Sequence, residues 1–493
     1  MGHAVKQRNM GVALSYGRVA TNVACGLLLS VALLRTLGDG EYGLYQTVAA
    51  FANYLVLLEF GMGTVMVRNL TVLRSVQETG EEQQRQVCGI WTLTLCLCAV
   101  IVAAAALFYG WMPRIYDKTL DAEQIRRGQH ILALLSGFVV CSFLAQTVDG
   151  VLLAFGRYRF SALEGLAQTI LRTVLILAGI WWRKSALVIA GTDLLLSGLR
   201  LGITAWYCRK RTGMRLRPGK VDRQMLLGVA PLALAVFLQG TVNQANHNVD
   251  KFLLGVMVTP EAVSLYSVAL FVCGVFSTLT TVPVTMFAPA IQESVQKGEN
   301  LQSHLVQPCR LAAMTGGTVL FGFAVAGRPF IRLFYGEHYL PAWGIGLMLM
   351  GSLYLHAVTG PTVSALDAKN KRMGRSLILV LTAALNVALT VWWMPMWNVM
   401  GAAAATAVSN LLGQVMLGNW HYRKALGISM GKLYRAAFRG VWPWLCLGCV
   451  AGGCVACWAE HDMVALLGGG GVFVACLLPM VWRTQVHKKS EQL

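Results

Sequence analysis

The sequence predicts an all-α polytopic membrane protein of fourteen transmembrane helices, built as two six-helix lobes related by a pseudo-twofold plus two extra C-terminal helices. Three observations predict it. The first is composition: 56% of the 493 residues are hydrophobic, 13% are charged, and the mean hydropathy is +0.58. Soluble domains carry roughly 25% charged residues, so a soluble enzyme, a disordered chain and a fibrous one are excluded. The second is a series of long apolar runs. The third is an internal echo between the two halves.

A bilayer core requires about 20 apolar residues per helix. Fourteen runs meet that need, at roughly 10–35, 43–67, 87–109, 130–155, 161–182, 186–206, 226–249, 262–288, 306–334, 343–366, 376–395, 398–420, 435–458 and 463–482. The first run is long and holds Arg18, so it is expected to remain as a span and not to be removed as a leader. The seventh continues through a polar stretch, Asn243 to Lys251, into Phe252 and Gly255. The runs are too long for barrel strands and do not alternate. Cysteines such as Cys98, Cys141, Cys273 and Cys449 sit within apolar runs, as small packing residues do.

The net charge of +19 is distributed by side. With the N-terminus inside, 27 Lys and Arg fall in inner segments and ten in outer ones. That bias puts both termini in the cytoplasm and the basic segments against anionic phospholipids. It also removes the need for a nucleic-acid partner to explain the charge.

The halves echo each other. Leu107-Phe-Tyr-Gly110 recurs as Leu333-Phe-Tyr-Gly336, Trp181-Trp182 as Trp392-Trp393, and Trp206-Tyr-Cys-Arg-Lys210 as Trp420-His-Tyr-Arg-Lys424. Leu37-Gly38 with Leu44-Tyr45 is echoed by Leu254-Gly255 with Leu265-Tyr266. The matches keep one order and fall at equivalent helix ends. The unit is six helices, an even number, so both copies enter from the same side. The expected organisation is 1–208 as the N-terminal lobe, 209–223 as a basic cytoplasmic linker, 224–424 as the C-terminal lobe, and 425–493 as the last two helices and a tail.

Leu37-Gly-Asp-Gly-Glu-Tyr-Gly-Leu-Tyr45, Asp250-Lys-Phe-Leu-Leu-Gly255, Leu333-Phe-Tyr-Gly336, Asn386, Met394-Pro395 and Gly401-Ala-Ala-Ala-Ala-Thr406 together resemble the polysaccharide (O-antigen-type) flippases. That family belongs to the multidrug/oligosaccharidyl-lipid/polysaccharide exporter superfamily, and the likeness spans essentially the whole chain. It implies a non-enzymatic transporter in the bacterial inner membrane. Such a protein moves an undecaprenyl-pyrophosphate-linked oligosaccharide to the periplasmic leaflet for surface polysaccharide synthesis. A polymerase and other polysaccharide assembly proteins are the implied partners; no cofactor and no nucleic acid are.

A charge at mid-bilayer costs about 2.5–3.5 kcal/mol on an insertion scale, so each one needs a partner or a wet cavity. Arg18 and Asn22 share a face at i, i+4, and Gln239 and Asn243 repeat that spacing in the seventh run. As substrate-binding residues these four are joined by Arg172 and Asn246. Arg18 would take a pyrophosphate oxygen with its planar fork, or else snorkel to the cytoplasmic interface. Arg172 lies on a stripe with Glu164 and Gln168; it either pairs with Glu164 or Asp193 or faces substrate. Asp193 and Arg200 share a face of the sixth run, where an ion pair to the fifth is favoured. Glu59, Asp149, His247 and Asp250 are the ion-coupling candidates, with an interfacial carboxylate the blander reading of Asp149 and a hydrogen-bonded ring that of His247.

No catalytic constellation and no Gly-rich phosphate loop ending in Lys-Ser or Lys-Thr is present, so energy is expected from an ion gradient or from removal of product on the far side. Two other classes compete. A drug or cation antiporter of the same superfamily would favour acidic residues in its cavity. A membrane glycosyltransferase or polymerase would need long outer loops, and the longest clear one is 110–128.

Overall fold

The computed structural model describes residues 2–76, 78–369 and 371–479; within these, the side chains of 2–20, Tyr158, Ala235, Leu238, Gln239, 241–248 and Arg372 are not described. The protein is all-helical, with no strand among the described residues. The helices are α1 (Gly2–Leu55), α2 (Met62–Ser75), α3 (Gly80–Ile115), α4 (Ala122–Ala154), α5 (Tyr158–Trp182), α6 (Ala186–Thr212), α7 (Arg223–Met257) and α8 (Pro260–Gln296). They continue as α9 (Leu301–Phe334), α10 (Pro341–Val358), α11 (Thr362–Ala368), α12 (Arg372–Asn410), α13 (Gly418–Leu426), α14 (Met430–Phe438), α15 (Trp442–Trp458) and the short α16 (Asp462–Val464).

Ten described helices are long and apolar enough to cross a membrane, or eleven if the bent pair α14–α15 is one span. The expected fourteen are not reached by that measure, for two reasons. First, Thr21–Ser75 and Met373–Leu426 run on as 55- and 54-residue apolar stretches, interrupted only at the backbone. The interruptions are Gly38 (φ 77°) and the turn at Val56–Gly61 in the first, and Asn398 (φ 48°) in the second. Second, α7 runs unbroken from Arg223 to Met257, but much of its middle lies outside the residues whose side chains are described, so it is not among those ten.

Local chemistry accounts for the ends. Thr79, Ser185, Asp222 and Asn300 each accept a backbone N–H in the first turn of α3, α6, α7 and α9, and Asp121 with Gln124 forms a capping box on α4. The motif 37–45, expected as a loop, is almost entirely helical. Gly38 alone breaks it, in the left-handed region that glycine tolerates. Gly43 permits close approach, because a Cβ there would lie 1.9 Å from the Pro260 carbonyl oxygen.

The chain forms two compact units, Met1–Ser264 and Leu265–Leu493. The first extends past the expected linker because α7 packs against α1. Its core joins Met66, Leu70, Val87, Ile90, Phe143 and Val151, among others. In the second unit α15 packs against α9 around Met314, Val325, Leu445 and Phe473, so the extra C-terminal helices are part of that unit. Large apolar side chains also point outward, including Trp181, Trp182, Trp392 and Trp458, as a lipid-facing surface requires.

The echoed motifs are structurally alike. Lys210 lies over the Trp206 ring at 4.8 Å, and Lys424 over Trp420 at 5.3 Å. Both indoles are exposed, as residues at a headgroup boundary are.

Candidate functional site

The first unit holds a network of charged side chains inside its apolar helices. Arg172 of α5 donates from Nε to Asp193 Oδ1 at 2.5 Å and from Nη2 to Oδ2 at 2.9 Å. This is a bidentate fork between α5 and α6. Tyr45 of α1 is buried and its hydroxyl meets the same guanidinium. One helical turn from Ser197, Arg200 reaches two carboxylates on other helices: Asp149 of α4 at 2.5 Å and Glu164 of α5 at 2.9 Å.

The two clusters differ in charge. Arg172 with Asp193 is balanced. Arg200 with Asp149 and Glu164 carries one carboxylate in excess, and Asp149 Oδ1 and Glu164 Oε2 are buried without a hydrogen-bond partner. Coulomb attraction to the shared guanidinium offsets part of the desolvation cost. The remaining formal negative charge is a place for a proton or a small cation.

A third group sits toward Gly38. Glu41 Oε1 accepts from Ala186 N at 3.0 Å and Ser185 Oγ at 3.3 Å, while Oε2 meets Arg127 at 3.1 Å. The carboxylate thus lies at the N-terminus of α6, where the helix dipole favours it. Glu41, one of the two acidic residues of the 37–45 motif, thus joins the break in α1 to α4 and α6. Lys251 of α7 donates to Gln46 Oε1 at 3.2 Å, and Gln46 Nε2 to the Tyr42 hydroxyl at 2.7 Å. Asp250 is buried and faces Tyr54.

Glu59 ends a 3-10 turn, Val56–Glu59, between α1 and α2. Phe60 (φ 48°) and Gly61 (φ 64°) follow it, both left-handed. A non-glycine residue held there costs roughly 1–3 kcal/mol and persists only where packing over-determines it. Here Phe60 stacks on Phe237 at 4.4 Å. Glu59 is part-buried beside Cys98 and has no ion-pair partner among the described residues.

Of the expected site residues, Asp149 and Asp250 are buried in the first unit, Arg172 and Glu59 are part-buried there, and Asn22 is exposed on α1. The side chains of Arg18, Gln239, Asn243, Asn246 and His247 lie outside the described residues. Asp149 is 6% exposed and ion-paired. Sequence reasoning placed Arg200 and Glu164 on stripes but missed that they meet. It missed Gln46 and Tyr42 altogether, although their i, i+4 spacing in an apolar run was a usable signal.

Residues 11–295 match the family model described as polysaccharide biosynthesis protein. The chain is 21% identical over 423 residues to the "Probable flippase AglR" of Haloferax volcanii, covering 82% of this chain and 81% of that protein. Among solved structures it resembles the lipid II flippase MurJ in an inward closed conformation, with a TM-score of 0.75 and 14% identity over 96% of this chain and 100% of that one. An inward-facing MATE family multidrug transporter of the MOP superfamily gives a TM-score of 0.62 and 14% identity over 85% of this chain and 96% of that one. With more than half its length matched, the chain belongs to the polysaccharide biosynthesis protein family and has the fold of the MurJ and MATE transporters.

Proposed function

We propose that this membrane transporter is a flippase that carries an undecaprenyl-pyrophosphate-linked oligosaccharide from the cytoplasmic to the periplasmic leaflet. It works by alternating access in the bacterial cytoplasmic membrane, with both termini inside and with coupling to an ion gradient. The observation that carries the coupling is the Arg200 cluster, where one guanidinium is shared by the buried Asp149 and the part-buried Glu164 carboxylates. Proton or cation uptake there neutralises the excess charge and changes what holds α4, α5 and α6 together. Glu59, at a strained helix break, and His247 and Asp250 on α7 are further coupling groups in this reading. Arg18, Asn22, Arg172, Gln239, Asn243 and Asn246 contact substrate. Arg18 supplies the fork for a pyrophosphate oxygen.

The substrate class is favoured by kinship with a named flippase and by the match to a polysaccharide biosynthesis family. The test is reconstitution. Proteoliposomes containing a lipid-linked oligosaccharide are monitored for its appearance in the opposite leaflet with a membrane-impermeant sugar-modifying reagent. Translocation above protein-free vesicles, reduced when the proton or sodium gradient is collapsed, is the expected result. Export of organic cations without movement of the glycolipid would overturn the reading in favour of a drug antiporter.

A further inference from the structure

The segment between α6 and α7 is basic, yet it is not a loose tether. Gln84 of α3 grips its backbone twice: Nε2 donates to the Arg215 carbonyl at 2.6 Å, and Arg215 N donates to Gln84 Oε1 at 2.9 Å. Eight residues further along α3, Thr92 repeats the arrangement four residues later in the segment. Its hydroxyl donates to the Gly219 carbonyl at 3.0 Å and accepts from Gly219 N at 2.8 Å. Arg85 closes the segment on Asp222 at 2.6 Å, and Asp222 also caps α7. Met214 is buried beneath. The backbone from Met214 to Asp222 is therefore held in one register on α3.

This clamp fixes which side chains face the end of α6. A cleft of about 360 Å³ is lined by Trp206, Arg209, Met214, Arg215 and Arg217, with no carboxylate in its walls. The C-terminus of α6 contributes a partial negative charge. Arg209, Lys210 and Arg211 in its last turn answer that charge, so Arg215 and Arg217 are in surplus. None of Arg209, Arg215 and Arg217 has a carboxylate partner among the described residues. The one acid nearby, Asp222, is already engaged with Arg85. Trp206 sets the depth of the cleft, since an exposed indole on an apolar helix end belongs at the headgroup level.

We propose that this cleft binds the phosphate of an anionic membrane lipid, with Arg209, Arg215 and Arg217 on the phosphate oxygens and Trp206 against the glycerol and upper acyl region. Planar guanidinium forks suit phosphate geometry, and a clamped backbone pre-orients them. The fit explains why a basic connector is held rigidly where solvation alone would suffice. The proposal rests on the orientation given above, which puts the cleft on the leaflet side of the cytoplasmic linker.

The full-length protein in detergent is titrated with phosphatidylglycerol and with phosphatidylcholine, and bound lipid is counted by native mass spectrometry. The triple variant Arg209→Gln, Arg215→Gln, Arg217→Gln is compared with a charge-matched control, Arg423→Gln, Lys424→Gln, Lys432→Gln. Phosphatidylglycerol affinity is expected to fall at least about tenfold in the first variant and to stay near wild type in the control. Millimolar inorganic phosphate should not displace the lipid. Equal losses in both triples would reduce the effect to net charge and overturn the proposal. Unchanged affinity in the first triple, or displacement by inorganic phosphate, would overturn it too. Thermal unfolding of both variants checks that they fold. The readout involves no transport, so its failure is separate from failure of the flippase reading.

Discussion

The two units carry echoes of one sequence pattern but treat buried polar groups in opposite ways. In the first unit Asp149, Asp193 and Asp250 are buried, and Arg172 and Arg200 reach across helices to two of them. In the second, the buried polar residues among those described are all hydroxyls and amides, such as Thr362, Asn386, Thr406 and Asn410. Its ion pairs, including Glu293–Lys297 and Arg332–Asp462, are at exposed or half-exposed sites. Its internal links run to neutral acceptors, with no buried carboxylate among the described residues: Asn386 Nδ2 donates to Thr406 Oγ1 at 2.7 Å, the Tyr354 hydroxyl to the Ala313 carbonyl at 2.8 Å, and Arg310 Nη2 to the Ala436 carbonyl at 3.2 Å. A neutral hydrogen bond is indifferent to ion gradients; a carboxylate pair sharing one cation is not. Of the two units, the first therefore carries the buried carboxylates on which the proposed ion coupling depends.

The sharpest way to break that contrast is to remove the shared cation. Arg200→Met leaves the buried Asp149 and the part-buried Glu164 facing each other, and loss of one partner of a buried ion pair costs about 3–5 kcal/mol. Membrane-inserted protein should fall severely. Combining it with Asp149→Asn and Glu164→Gln should restore the level, because no uncompensated charge remains, while gradient-dependent transport stays absent. Western blots of membranes and vesicle transport distinguish the two effects. A triple variant that is stable and still gradient-driven would show that the cluster is merely structural.

A milder change separates the two clusters within the first unit. Asp149→Asn or Glu164→Gln alone leaves a balanced pair with Arg200, so folding should survive. Transport is expected to drop to the level seen in wild-type vesicles with the gradient collapsed, and to lose its dependence on pH. Arg172→Lys should behave differently. It keeps the charge beside Asp193 but loses the bidentate fork, so stability falls by about 1 kcal/mol with the gradient response intact. If Arg172→Lys removed the response and Glu164→Gln did not, the roles of the clusters would be reversed.

Much of this was legible in the sequence, for reasons that also mark where legibility ends. Helix existence follows from hydropathy, which is additive along the chain, so nearly all the apolar runs appear as helices. The stripes Glu164–Gln168–Arg172 and Asp193–Arg200 follow from helical spacing. Partner choice does not, since it depends on how neighbouring helices are rotated and how deep each side chain sits. Arg200 shares a face with Asp193 yet binds Asp149 and Glu164, while Asp193 goes to Arg172. Backbone breaks are read no better. Gly38 is one of several glycines in its motif, Asn398 is one asparagine among many although its type favours positive φ, and nothing at Phe60 announces a left-handed residue. Those conformations are imposed by tertiary packing, such as the Phe60–Phe237 stack, and packing is not a local property.

The smallest effect is the most discriminating control. Asn386→Ala removes the amide that links the two halves of the long α12 at a buried position of the second unit. Thr406 keeps a further interaction, so its hydroxyl is not stranded. Such intramembrane hydrogen bonds average about 0.6 kcal/mol, so unfolding in detergent should shift only slightly. Transport should slow little, and its gradient dependence should be that of the wild type. A lost gradient response here would mean that the second unit also takes part in coupling. Retention, set beside the loss in Asp149→Asn, would confine the response to the helices that meet at Arg200.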